Sequence, residues 1–104
     1  MATGILGQFA PSAATNTTVY TVPSAKTATF SINIVNRNGA VATVRIGISA
    51  TGTPGTTEWI EYGAKVLADG GVLERTGLVA QAAKNVAVYS DVANTSVTVY
   101  GYEE

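Results

Sequence analysis

The sequence predicts an all-β fold, a single antiparallel β-sandwich or barrel of seven to eight short strands, jelly-roll or Greek-key-like, with an extended N-terminal arm. Three observations favour it. Runs of β-branched and aromatic residues recur at a spacing of roughly 8–12 residues. Gly, Pro, Asn and Asp separate these runs, as turn residues do. No long segment has the apolar period of an amphipathic helix.

The chain divides into an arm and one domain. Residues 1–15 are mostly Gly, Ala, Ser, Thr and Pro, with Leu6 and Phe9 among the few large apolar side chains, so we expect an extended arm and no strand there. Residues 16–104 hold all the β-rich runs and form the predicted sandwich domain.

The first three strands follow the arm. Residues 17–22 form a β-rich run that Pro23 ends. Residues 26–36 alternate Ala, Phe and Ile with Thr, Ser and Asn, which places the apolar set on one face of a strand. Asn38-Gly39 predicts a hairpin turn, because both residues tolerate positive φ, and residues 41–49 are the return strand.

The second half is predicted to contain shorter strands. A Gly- and Pro-rich loop at 51–55 is followed by a strand at residues 58–62, to which residues 65–67 add a short extension. A helix over residues 63–69 is the alternative, but it would be too short and is bounded by Gly. Residues 72–79 form a strand that Gly77 interrupts. The last two strands, which we expect to pair with each other, are residues 85–90 and 96–102.

Composition excludes several classes of protein. The 104 residues include six basic and seven acidic side chains, a net charge of −1, so there is no basic surface for nucleic acid or for a membrane. The chain has neither Cys nor His, which excludes disulfides, zinc fingers and a Ser-His-Asp triad. Charged residues make up 12% of the chain, against about 25% usually, and this indicates a surface partly buried in an assembly.

No pattern of carboxylates predicts catalysis or metal binding. Glu58 and Glu61 lie near aromatic residues, as in a glycosidase, but their spacing puts them on opposite faces of an extended strand. Asp69 and Asp91 occur in turns, and their surroundings do not have the ligand spacing of a calcium loop. We therefore expect no catalytic residues, no metal and no cofactor.

Some apolar and aromatic residues are candidates for partner binding. Phe9 lies in the predicted arm, where an apolar side chain packs on its own domain or on a neighbour, and Trp59 is of the residue type most enriched at interface hot spots. With Leu6 and Pro11 of the arm, these are the partner-binding residues that we expect. The alternative for the aromatic residues is packing or a platform for carbohydrate.

Five stretches of the sequence, taken together, point to a known family. They are LGQFAP at 6–11, TTVYTVP at 17–23, KTAT at 26–29, WIEY at 59–62 and NVAVYS at 85–90. The chain resembles, in these stretches, small β-rich structural proteins of tailed bacteriophages. The resemblance extends over residues 6–101 and departs from the family at the loop 52–57, where family members often have a shorter or Ala-richer segment.

The resemblance implies a non-enzymatic virion protein made in the bacterial cytoplasm. The first expectation is a capsid decoration (cement) protein that binds the major capsid protein on the head surface as a homo-oligomer, a trimer before a dimer. The alternatives are a tail, baseplate or fibre component, which would bind another virion protein, and a carbohydrate- or surface-binding β-module. We expect neither nucleic acid nor membrane as a partner.

Overall fold

The computed structural model describes residues 2–104, and Met1 lies outside them. These residues form eight β-strands and, in the described range, no helix, so no helical segment has the length and apolarity needed to cross a membrane. The strands are β1 (Thr3–Phe9), β2 (Thr17–Thr21), β3 (Ala28–Asn36), β4 (Ala42–Ser49), β5 (Trp59–Val66), β6 (Gly71–Ala80), β7 (Asn85–Ser90) and β8 (Thr95–Glu103).

The strands form two four-stranded antiparallel sheets that pack face to face as a β-sandwich. Sheet A has the order β1-β8-β3-β6 and sheet B the order β2-β7-β4-β5. The first strand thus pairs with the last, the second with the seventh, the third with the sixth and the fourth with the fifth. This is an eight-stranded jelly roll, and it confirms the predicted fold class.

Alternation along the central strands builds the core. In β3 every second residue is buried, from Ala28 through Phe30, Ile32 and Ile34, as the apolar period predicts. From sheet B, β4 contributes buried apolar side chains and β7 does the same. The facing apolar sets interdigitate between the sheets, which is where a sandwich buries its hydrophobic surface.

The prediction that residues 1–15 form an arm without a strand is wrong for β1. Residues from Thr3 to Phe9 pair with β8 along one edge of sheet A. Leu6 is the extra residue of a bulge in this pairing and packs against the core. The composition of this segment disfavours a strand, but the open edge of β8 supplies hydrogen-bond partners that override propensity.

Two predicted pairings of neighbouring strands are also wrong. The Asn38-Gly39 turn does not close a hairpin, because β3 lies in sheet A and β4 in sheet B. The last two strands likewise belong to different sheets, with β8 in sheet A and β7 in sheet B. In a jelly roll most connections cross between the sheets, and only β4 and β5 are paired neighbours in the chain.

The crossing loops at one end are held together by Asn36. This residue is fully buried at the end of β3. Its side-chain amide donates to the carbonyls of Ala40 at 2.8 Å and Val66 at 3.1 Å, and its Oδ1 accepts from the backbone N–H of Asn38 at 2.9 Å. A buried amide with these partners connects the β3–β4 turn to the end of β5.

Bulges shape the two outer strands β5 and β6. In β5 the register with β4 skips Ile60 and Gly63. The strand continues to Val66, so the first part of the segment 63–69, where a short helix was the alternative, is strand, and the rest is a turn. In β6 the register with β3 shifts beside Gly77, which has positive φ, and this confirms the interruption expected there.

Candidate functional site

A groove of about 600 Å³ lies on the outer face of sheet B. Its walls come from β4, from β5, from the loop that joins them and from the residue before β2. The lining side chains and backbone are those of Asn16, Arg45, Thr53, Pro54, Gly55, Thr56, Trp59 and Tyr62. The volume falls in the range of ligand pockets, and the lining mixes aromatic and polar groups as such pockets do.

The β4–β5 loop forms one wall because it folds back over the sheet. Gly47 of β4 has no side chain, and a Cβ there would lie 2.5 Å from Cγ of Pro54. The loop then returns to β5, where the Glu58 carbonyl accepts from the Ile48 N–H at 3.1 Å and Glu58 Oε1 accepts from the Gly55 N–H at 2.7 Å. The absence of a side chain at Gly47 therefore allows the loop to lie against sheet B.

The β5 bulge places both aromatic residues on the groove side. Trp59 pairs with Gly47 and Tyr62 pairs with Arg45, and the skipped Ile60 brings the two rings to the same face. Their ring centroids are 5.4 Å apart with an interplanar angle of 68°, an edge-to-face contact. Tyr62 is 63% exposed, so much of its side chain is open to solvent.

Arg45 is held between two aromatic rings. Its guanidinium carbon lies 4.3 Å from the centroid of Tyr62 and 4.4 Å from that of Tyr89 on the neighbouring strand β7. These cation–π contacts fix the planar group across three strands. Within residues 2–104, Arg75 and Glu61 form the single ion pair. Arg45 has neither a carboxylate partner nor a side-chain hydrogen bond.

Asn16 adds an acceptor without a donor. Its Oδ1 is buried and has no hydrogen-bond partner among the described residues. A buried acceptor without a hydrogen bond destabilises the fold unless a water or another group donates one to it. Asn16 also lines the groove, beside the threonines of the loop. The groove therefore offers unused guanidinium donors, exposed aromatic surface and a partly polar lining.

The outer face of sheet A is a second candidate surface. Residues opposite each other in a ladder share a face, and Thr29 of β3 lies between Tyr102 of β8 and Val79 of β6. In the next row Tyr100 lies opposite Ile5 of β1. The exposed fractions of Ile5 and Val79 are 59% and 60%, and Val72 farther along β6 is 57% exposed.

This face carries little charge. Among the described residues that strand pairing places on this face, Glu74 is the single charged side chain. Its carboxylate accepts a hydrogen bond from the Tyr100 hydroxyl, which raises the pKa of Tyr100. Arg37 lies beyond the end of β3 and donates to Ser96 Oγ at 2.8 Å. The other outward side chains of this face are apolar, bear a hydroxyl group or, at Gln8 and Asn33, are amides.

The structure separates the partner-binding residues that the sequence predicts. Leu6 packs against the core and Pro11 is buried, so neither side chain is freely accessible. Phe9, at the end of β1, is 50% exposed. Trp59 lies in the other sheet, in the groove. Partner binding by this set stays a prediction, with Phe9 and Trp59 as its accessible members.

The carboxylates considered for catalysis have local structural partners. Glu58 closes the β4–β5 loop, and Glu61 accepts from Arg75 at 2.5 Å, which joins the outer strands of the two sheets. Within residues 2–104 no cluster of three or more acidic residues is placed to hold a metal ion.

Strict alternation could not reveal the groove. A spacing of three predicts opposite faces for Trp59 and Tyr62, and the bulge at Ile60 reverses that. Arg45 is recognisable from the sequence as an outward residue of β4, but its two aromatic neighbours come from strands far apart in the chain. The roles of Asn16 and Pro54 have no signal in the sequence.

Comparisons of the chain with protein families, with characterised proteins and with solved structures find no match. The resemblance to tailed-phage structural proteins therefore rests on the sequence motifs and stays a prediction.

Proposed function

We propose that the protein is a non-enzymatic structural protein of a tailed-phage virion, a decoration protein that binds the assembled head as a homo-oligomer. The observation that carries this is the nearly uncharged outer face of sheet A with its exposed apolar residues. Exposed apolar patches on a small domain mark surfaces for other proteins. The sequence motifs supply the virion context, and jelly rolls are frequent among capsid domains.

The partner that we propose is the major capsid protein. A four-stranded face on which Glu74 is the single charged side chain can contact a shell with little desolvation of ions, which is the costly step when charges are buried. The half-exposed Phe9 lies at the end of the edge strand of the same sheet, where it can contact a neighbouring subunit. Binding only to the assembled shell stabilises it by mass action at every occupied site.

Binding to heads that lack the protein tests this proposal. Purified protein is added to such heads, and the bound copies are counted after sedimentation. The wild type is expected to bind saturably. Ile5→Lys and Val79→Lys, which place a charge on the outer face of sheet A, are expected to weaken binding by about tenfold or more.

The matched control is Leu67→Lys. Leu67 is 71% exposed and follows β5, so the substitution adds the same charge to another part of the surface. We expect Leu67→Lys to bind as the wild type does. Wild-type protein that does not bind heads would overturn the decoration role. Unchanged binding of both sheet A variants would overturn the assignment of the face.

A further inference from the structure

We propose that the groove on the outer face of sheet B binds an acidic carbohydrate, a pyranose ring that carries a carboxylate, as in uronic acids. This site lies on the opposite sheet from the proposed docking face and does not depend on the virion role. Three separate features of the groove point to this ligand chemistry.

The first feature is a cation without a counter-ion. Arg45 lines the groove, and its guanidinium is fixed between Tyr62 and Tyr89 while its N–H donors have no protein acceptor. The described residues that line the groove include no carboxylate. Arg45 pairs with Tyr62 of β5 on one side and with Tyr89 of β7 on the other, so an aromatic ring flanks it on each side. Its free N–H donors can make a two-point contact with a carboxylate.

The second feature is the aromatic surface beside that cation. The edge-to-face pair of Trp59 and Tyr62 exposes ring surface on the same wall. The apolar C–H face of a pyranose packs against such rings, and a simple carboxylate or an inorganic anion has no group that would use them. Aromatic surface next to a cation therefore favours a ring that bears a carboxylate.

The third feature is the polar part of the lining. Asn16, Thr53 and Thr56 line the groove together with Arg45 and the two aromatic residues. Sugar hydroxyls both donate and accept hydrogen bonds, so they suit a wall of amide and hydroxyl side chains. An acidic peptide would supply carboxylates for Arg45 but lacks the ring of hydroxyls.

Fluorescence of Trp59, the single tryptophan of the chain, reports on binding. The full-length protein is titrated with oligosaccharides of galacturonate, of mannuronate and of glucuronate-containing disaccharides. The comparison ligands are neutral oligosaccharides of the same length and a triglutamate peptide. We expect a saturable change with at least one uronate oligomer and at least about tenfold weaker binding of the comparison ligands.

Variants assign the contacts. Arg45→Gln is expected to weaken uronate binding by about tenfold or more, and Tyr62→Ala, at a position that is 63% exposed, is expected to weaken it as well. Lys65→Gln removes one positive charge from the same sheet face outside the groove, and we expect it to bind as the wild type does.

Three results would overturn the proposal. One is the absence of a saturable change with every uronate oligomer. Another is equal binding of triglutamate, which would assign the groove to acidic peptides. The third is wild-type affinity in both Arg45→Gln and Tyr62→Ala, with folding of each variant verified by its thermal transition.

Discussion

At the scale of single residues, the buried pair of Tyr20 and Glu103 is the least expected feature. Tyr20 lies in sheet B and Glu103 in sheet A, and the phenol donates to Glu103 Oε2 at 2.5 Å. Burial of the phenol, followed by this hydrogen bond and the nearby negative charge, raises the pKa of Tyr20 well above its usual value. This hydrogen bond therefore links the two sheets, and folding keeps the phenol of Tyr20 protonated to higher pH.

This pair predicts a loss of stability at alkaline pH. Since the pKa of Tyr20 is raised in the folded protein, its contribution is complete below about pH 10 and declines as pH rises from there toward the folded-state pKa. The slope for one such group is at most about 1.4 kcal/mol per pH unit. Urea unfolding of the wild type and Tyr20→Phe measures it.

Because the other titrating groups are shared by both proteins, the difference between them isolates Tyr20. We expect the stability advantage of the wild type over Tyr20→Phe to shrink between about pH 9 and about pH 11. An advantage that stays constant over this range would show that the proton of Tyr20 does not contribute to stability.

Residue burial was predictable where alternation is regular. The apolar positions of β3 from Ala28 to Ile34 are buried as their period indicates. The burial of the polar residues Asn36 and Glu103 was not predictable. Asn36 bonds the Val66 carbonyl 30 residues away, and Glu103 accepts from Tyr20, which is 83 residues away. Period-two patterns report which face a side chain occupies and contain no information about its polar partners.

At the scale of elements, the close approach of β1 and β2 brings the edges of the two sheets together. A Cβ at Gly7 would lie 2.4 Å from the backbone oxygen of Val19, the bulged residue of β2. Backbone cannot yield as a flexible side chain can, so only glycine fits at this position. The glycine at position 7 therefore allows β1 to pack closely against β2.

Gly7→Ala is expected to destabilise the fold by about 1–3 kcal/mol, because the two edge strands must move apart. The matched control is Gly39→Ala, where a Cβ would meet no atom within 4 Å. Chemical denaturation measures both variants. We expect Gly39→Ala to differ from the wild type by less than about 1 kcal/mol. Equal stability of the two variants would contradict the close contact between β1 and β2.

The elements that the sequence failed to predict have a common cause. Residues 3–9 lack strong β-propensity and become a strand by pairing with β8, which follows about ninety residues later in the sequence. The bulges of β5 likewise depend on its register with β4 and determine which side chains line the groove. Local patterns identify β-rich segments, but pairing between distant strands determines which segments form strands and which face each side chain occupies.

At the scale of the whole molecule, the jelly roll separates two surfaces of different chemistry. The outer face of sheet A is nearly without charge, whereas the outer face of sheet B carries Arg45 and Lys65 with the aromatic groove. A protein on a shell needs one face for the shell and leaves the other exposed. Since one fold serves many functions, the assignment depends on these surfaces and not on the topology.

The copy number of the protein in purified virions tests the proposed function most directly. Quantitative mass spectrometry against the major capsid protein supplies this number. A decoration protein on the head predicts a count comparable to that of the major capsid protein. A count of a few to a few dozen would contradict decoration and place the protein in the tail, baseplate or fibres, and its absence from the particle would contradict a virion role altogether.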